Sequence, residues 1–319
     1  MKLIDTRQAA RRIREAPALC ILAHCHPDGD TLGCAYALAR AARLLGKDAC
    51  VLCEDPSPPM YDFMAEGLEQ RERADGLLIC VDVADKELLG KGMLERFEGQ
   101  IALSIDHHAA HSLFAAETCS DPTAAAAAEV VCDVIDLLEV PMDAVMAACL
   151  YAGLSTDTGC FRYSSTTPRS HRYAARFMEL GAPAAELDRA FFETKTRTYA
   201  ALERIALEGM RFFCDDRVAM LIVTQAMFRE SGSNEEEFIQ LVPQTRQVEG
   251  VLVGVAIRER EDGSYKISLR SHAPVDAAAI AARMGGGGHV RAAGCASDKS
   301  LDETVKEVLG YIEEALSEE

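Results

Sequence analysis

The chain has 319 residues, 49% of them apolar and 26% charged, and its 33 Lys and Arg stand against 51 Asp and Glu, a formal charge of −18. That length exceeds what one hydrophobic core usually organises, so two domains are expected. Long nucleic acids are held largely by basic side chains that neutralise phosphates. The charge therefore excludes a long strand as partner and leaves room for a small anion gripped by a local metal or arginine cluster.

The twelve cysteines read as small, reduced core residues, because the chain is long and Cys20, Cys50, Cys80, Cys132 and Cys149 sit inside apolar runs. The first residues, MKLIDTRQAARRIREAP, are charged and carry no signal-like apolar stretch. No window reaches the roughly 18 uninterrupted apolar residues of a membrane span. A cytoplasmic protein without a membrane partner is the expectation.

In chain order, ALCILAHC (18–25) reads as a buried strand and 31–46 as a helix closed by Gly46. Strands follow at KDACVLCE, 77–84 and 101–108. Residues 121–140 read as a helix with Asp121 as N-cap and Pro122 in its first turn, and another begins near Asp143. Strands alternating with helices predict an α/β domain, residues 1–185, with a parallel sheet and helices on both faces. Residues 186–204 read as a helical connector. Beyond it, RVAMLIVT, VEGVLVGVAIRER and SYKISLRS look like strands, the last two a hairpin around EDGS. A C-terminal helix has apolar residues at 301, 305, 308, 309, 312 and 316. Residues 205–319 are thus expected to form a smaller, mixed α/β domain.

Four segments carry the chemistry: His24, His26, Asp28 and Asp30; Asp82, inside an apolar strand; Asp106, His107 and His108; and Asp157, in STDTG. Singly, each has an ordinary explanation. Asp-Gly is usually a turn, and an aspartate ending a strand is more often a cap than a ligand. Adjacent histidines in a strand point to opposite faces, so one of the two would reach any common site. Together the segments all fall at the carboxyl edge of one sheet, where ligands bind in open α/β folds. Carboxylates crowded there would repel one another and shift their pKa values unless a cation held them. Two divalent cations about 3.5–4 Å apart would do so and would form a hydrolytic site. Asp and His ligands without cysteine suit Mn²⁺ best, with Mg²⁺, Co²⁺ or Fe²⁺ behind it.

The motifs HCHPDGDTLG, VDVAD, DHH and STDTG, in that order, resemble those of the DHH phosphoesterases, and SLRS (268–271) with GGGGHVRAAG (285–294) resembles the DHH-associated C-terminal domain. The resemblance spans nearly the whole chain and is nearest to the stand-alone nanoRNase and 3′-phosphoadenosine 5′-phosphate phosphatase type. It implies that His24 and Asp28 hold one metal, Asp30, His107 and Asp157 the other, and that Asp82 bridges them. Asp106 would support its neighbours from behind, His108 would face the scissile phosphate, and His26 would be an ordinary loop residue. Arg270, Ser271, Gly287, Gly288 and His289 would grip substrate phosphate, with Arg291 a weaker candidate. The implied activity is two-metal hydrolysis of short oligoribonucleotides, linear dinucleotides or 3′-phosphoadenosine 5′-phosphate by a homodimer. A cyclic di-AMP phosphodiesterase is an alternative. A non-catalytic nucleotide-binding regulator is another, but such a protein would be expected to lose ligands, and here every ligand position is filled.

Overall fold

The computed structural model describes residues 2–73 and 75–317. The chain divides into two compact units, Met1–Thr194 and Lys195–Glu319.

The first unit runs β1 (Lys2–Leu3), α1 (Thr6–Glu15), β2 (Ala18–Leu22), α2 (Gly29–Leu44), β3 (Asp48–Leu52), β4 (Leu77–Val81), α3 (Lys91–Phe97), β5 (Leu103–Asp106), β6 (Glu117–Ser120), α4 (Ala127–Leu138), α5 (Ala144–Asp157), α6 (Pro168–Glu179) and α7 (Ala184–Asp188). Its six strands pair in the order β1-β6-β5-β4-β2-β3, every pair parallel. The residues of β2 are buried throughout, as a strand covered on both faces requires. Leu19, Ile21 and Ala23 pack into a core shared with α1, α2, α4 and α5, whereas Cys20 and Leu22 point the other way, to Cys50, Cys80, Leu89 and Phe97 of the α3 side. Alternation along one strand thus produces the two-sided core. From β2 the chain steps outward to β3, then crosses back to β4 on the opposite flank. That reversal opens a crevice at the carboxyl ends of β2 and β4, the usual ligand position.

All twelve cysteines are free. Cys50 and Cys53 have the C-x-x-C spacing. An odd offset along an extended segment separates them: Cys50 Sγ lies 3.4 Å from Cys20 Sγ, while Cys53 Sγ donates to the His24 carbonyl at 3.1 Å.

Two sequence expectations need correction. The helix expected over 121–140 starts at Ala127, and Asp121 instead closes a local turn, accepting from Thr123 N at 3.0 Å. The first amides of α4 find their acceptor in the distant Asp30, so no local cap is needed. The stretch 186–204, expected as a connector, divides: α7 belongs to the first unit, and the helix beginning at Arg197 buries Tyr199 and Leu202 in a core of the second.

The second unit runs α8 (Arg197–Glu208), β7 (Arg211–Phe213), β8 (Val218–Val223), α9 (Gln225–Ser231), α10 (Glu235–Leu241), β9 (Val253–Glu259), β10 (Tyr265–Ser271), α11 (Ala277–Arg283), β11 (Gly287–His289), β12 (Ala292–Ser297) and α12 (Leu301–Ser317). The sheet order is β11-β12-β10-β9-β8-β7, with β8 and β9 parallel and the other pairs antiparallel. β9 and β10 form the expected hairpin, its turn closed by Arg260 N donating to Ser264 O at 2.8 Å. Val308, Ile312 and Leu316 of α12 are buried on one sheet face together with Ile280 of α11; α8, α9 and α10 cover the other.

Candidate metal centre

Three loops at the carboxyl edge meet over β2, β4 and β5. After β2, His24 turns its ring so that Nδ1–H donates to the Cys25 carbonyl at 2.8 Å. Its Nε2 then lies 3.6 Å from Asp28 Oδ1 and 3.7 Å from Asp82 Oδ2. Asp28 is the N-cap of α2, accepting from Asp30 N at 3.0 Å and Thr31 N at 3.1 Å. Thr31 pins the helix start to β4 by donating to Val81 O at 3.0 Å. Asp82 is 4% exposed, and its φ of 57° puts a non-glycine residue in the left-handed region just past the strand end.

After β5, His107 Nδ1–H is held by the Ala124 carbonyl at 3.3 Å. Its Nε2 lies 3.2 Å from Asp157 Oδ2 and 3.5 Å from Asp82 Oδ1. Both imidazoles therefore present Nε2 inward, with Nδ1 fixed by a backbone carbonyl, the arrangement that prepares a histidine for a metal. Asp30 is fully buried and accepts from Ala127 N at 2.6 Å and Ala128 N at 3.0 Å. It sits at the positive end of α4, which favours its charge.

Asp157 reaches this group because α5 lies almost against α2. A Cβ on Gly33 would meet the Cys149 carbonyl oxygen at 2.2 Å, and one on Gly153 would meet Asp30 Oδ1 at 2.6 Å. Only glycine permits that approach. These glycines carry a functional placement that the sequence reading did not single out; Gly29 and Gly33, one helical turn apart inside HCHPDGDTLG, were the available signal.

Potential ligand atoms of His24, Asp28 and Asp82 lie within 4.8 Å of one another, as do those of Asp30, His107 and Asp157. Buried Asp82 Oδ1 and His107 Nε2 find no hydrogen-bond partner among the described residues. Without a cation, burial together with Asp82 and Asp28 pushes Asp157 up to about 6, and burial with Asp82 and Asp157 holds Asp30 well above the usual carboxylate range. Burial opposes a charge on the imidazoles, but the facing Asp28 and Asp82 carboxylates outweigh it and raise His24 to about 11; Asp157 and Asp82 raise His107 to about 12. Buried polar atoms without partners, inward Nε2 atoms and four crowded carboxylates fit divalent cations.

The strand ends at Asp106, so His107 and His108 escape strict alternation, and both join Asp82 and Asp106 within 4.8 Å. His108 Nδ1 is 2.9 Å from Oδ1 of fully buried Asp106, and this hydrogen bond raises its pKa. Its side chain is 41% exposed. His111 was missed by the sequence reading, although it stands three residues past the DHH triplet. It accepts from Leu113 N at Nδ1 (2.8 Å), so Nε2 carries the proton, 3.1 Å from Ser104 Oγ and 3.6 Å from Asp106 Oδ2. Its side chain is 4% exposed and its ring stacks on Phe114.

In the second unit, Arg270 on β10 and His289 on β11 both pair with Ala292 of the intervening β12, so they share a row and a face. Ser271 points to the opposite, buried side, where its hydroxyl donates to Val275 O at 2.7 Å. Arg291 is occupied by the carbonyls of Val275 (2.6 Å) and His272 (3.1 Å). Within the glycine run, a Cβ on Gly288 would strike β12 at 2.6 Å, whereas one on Gly287 would meet open space.

The DHH family N-terminal domain matches residues 18–154 and the DHHA1 domain residues 218–318. The "Bifunctional oligoribonuclease and PAP phosphatase NrnA" of Thermus thermophilus is 35% identical over 306 residues, covering 93% of this chain and 90% of that protein. The chain belongs to the DHH family. As a DHH protein it is a hydrolase of the phosphoesterase type. A crystal structure of an exopolyphosphatase-related protein from Bacteroides fragilis shares the fold, with a TM-score of 0.89, 21% identity and coverage of 97% of this chain and 96% of that one. RecJ from Thermus thermophilus in complex with Mn²⁺ also shares it, at a TM-score of 0.53, 16% identity and coverage of 96% and 54%. No helix among the described residues is long and apolar enough to cross a membrane.

Proposed function

We propose that this DHH protein is a two-metal phosphoesterase that hydrolyses short oligoribonucleotides and linear dinucleotides, and also 3′-phosphoadenosine 5′-phosphate. The observation that carries the reading is the convergence of six side chains, His24, Asp28, Asp30, Asp82, His107 and Asp157, with both imidazoles aimed inward. The length-wide similarity to the Thermus thermophilus oligoribonuclease and PAP phosphatase supports the substrate class.

His24, Asp28 and Asp82 would hold one cation, and Asp30, Asp82, His107 and Asp157 the other. Mn²⁺ is the cation best suited to this oxygen and imidazole set, and a RecJ relative binds it. Bound there, the cations polarise a phosphoryl oxygen and lower the pKa of water. The protein contributes position and protons. Asp106 fixes the His108 ring through Nδ1 and favours its protonated form, in which Nε2–H would donate to a phosphoryl oxygen or to the departing oxygen. On the second unit, the Arg270 guanidinium can take a phosphate in two parallel hydrogen bonds, with His289 in the same row and Gly287 bordering open space. Ser271 and Gly288 serve that surface from behind, by tying β10 to the 275 loop and by letting β11 close on β12. Small substrates suit the charge of −18. A cytoplasmic homodimer is part of the same proposal, and light scattering reports the oligomer directly.

The test is turnover with Mn²⁺ on a dinucleotide, a pentanucleotide, 3′-phosphoadenosine 5′-phosphate, cyclic di-AMP and pyrophosphate. Hydrolysis of the first three is expected. Cleavage of the cyclic compound alone would favour the cyclic dinucleotide reading, and inertness toward all five in the metal-loaded protein would point to a regulator.

A further inference from the structure

His26 belongs to the densest motif of the chain, yet the proposed chemistry leaves it unused. The loops after β2 and β3 leave the sheet at the same edge, because the two strands are parallel neighbours. Cys25 and His26 lie in the first loop and Asp55 in the second, and their potential ligand atoms fall within 4.8 Å of one another. Both loops are anchored from below on one segment. Cys25 N donates to Leu88 O at 2.7 Å, and Glu54 accepts from Gly92 N and Met93 N at 3.1 and 3.0 Å. His26 adopts a φ of 52°, a region few non-glycine residues occupy. In that conformation its amide donates to Asp55 Oδ2 at 2.7 Å and its Nδ1 lies 3.0 Å from the same oxygen, while 90% of the side chain stays exposed. Cys25 and Asp55 are part-buried.

We propose that Cys25, His26 and Asp55 form a separate divalent-cation site, suited to Zn²⁺, beside the centre described above. A thiolate, an imidazole and a carboxylate are a borderline-soft set, the combination tetrahedral Zn²⁺ takes with three protein ligands and one open position. The neighbouring centre offers oxygen and imidazole donors, so the two sites differ in ligand softness. Binding would release the Cys25 thiol proton to solvent. It would also cross-link the loop bearing His24 and Asp28 to the loop after β3, fixing two ligands of the centre from outside it.

The site can be tested without turnover. Metal-stripped, full-length protein is titrated with Co²⁺ and followed by absorption. A thiolate-to-cobalt charge-transfer band in the near ultraviolet is expected, which oxygen and imidazole ligands do not give. Cys25→Ser should abolish it. Cys34→Ala and Cys53→Ser should retain it, although Cys34 Sγ is only 3.4 Å from Asp30 and Cys53 lies under His24. Zn²⁺ retained through gel filtration should fall by one equivalent in Cys25→Ser, whatever the other centre holds. His26→Ala removes an exposed side chain and leaves the packed core intact. It should weaken Co²⁺ binding at this band by at least the roughly 10–100-fold seen when a ligand's supporting partner is lost. The proposal is overturned by absence of the band in the wild type, by its survival in Cys25→Ser, by its loss in Cys34→Ala instead, or by unchanged affinity in His26→Ala. None of these outcomes bears on whether the chain hydrolyses phosphoesters.

Discussion

Loading the centre with metal should expel protons, and the structure supplies the number. In the metal-free protein His24 and His107 are raised to about 11 and about 12 by the carboxylates they face, so at neutral pH both are imidazolium. A cation can use only the neutral ring, so each must give up its proton. Asp157, at about 6, has largely lost its own already. About two protons should therefore leave as the centre fills. That release makes the apparent affinity climb about 100-fold per pH unit near neutrality. Calorimetric titration with Mn²⁺ in buffers of different ionisation enthalpy measures the count. A buffer-independent heat would mean that the imidazoles are neutral beforehand, and the geometry argued above would fail. Metal-free stability carries the same signature. The raised histidines contribute stability that is complete below about 6.5 and lost only as pH rises through about 11 to 12. The raised Asp157 acts in the opposite sense: its penalty is absent below about 3.8 and complete above about 6, so added metal should raise the melting temperature more at pH 8 than at pH 5.

Gly153→Ala places a Cβ 2.6 Å from Asp30 Oδ1 and should cost about 1–3 kcal/mol in denaturant unfolding. It should also weaken Mn²⁺ binding on the Asp30 side, and unchanged binding would separate the α2–α5 contact from the site. His108→Gln keeps the ligand set and should lower kcat by roughly 10²–10⁴ with metal stoichiometry intact; a variant that also loses metal would show His108 to be a ligand. His111→Phe should leave metal binding alone and displace the pH profile of kcat through Asp106, whereas a purely structural role would lower the melting temperature and leave the profile in place. Arg270→Lys removes the two-pronged contact with phosphate and should raise KM with little change in kcat, while Arg291→Ala should chiefly loosen the loop at 272–275, whose carbonyls it holds.

The convergence of the segments at 24–30, 82 and 106–108 was legible in the sequence because a parallel sheet puts every strand's carboxyl end on one rim, without any long-range information. What could not be read was settled by contacts between distant residues. Asp121 looked like the cap of α4, but the cap is supplied from 97 positions away by Asp30, whose carboxylate takes the amides of Ala127 and Ala128. Local cap statistics hold no trace of such an acceptor. Ser271 follows Arg270, and the two read as one clamp, yet strand alternation turns the hydroxyl into the core and leaves Arg270 facing the same way as His289. The alternation was available, but the pairing of β12 between them was not. The glycines show the same division. Gly33 and Gly153 look like ordinary small residues in helices, where glycine is costly. Their reason appears only when α2 and α5 are packed and Asp157 is carried to Asp30 and His107. The chemistry of this centre is written in its polar residues, but its dimensions are set by residues that have no side chain at all.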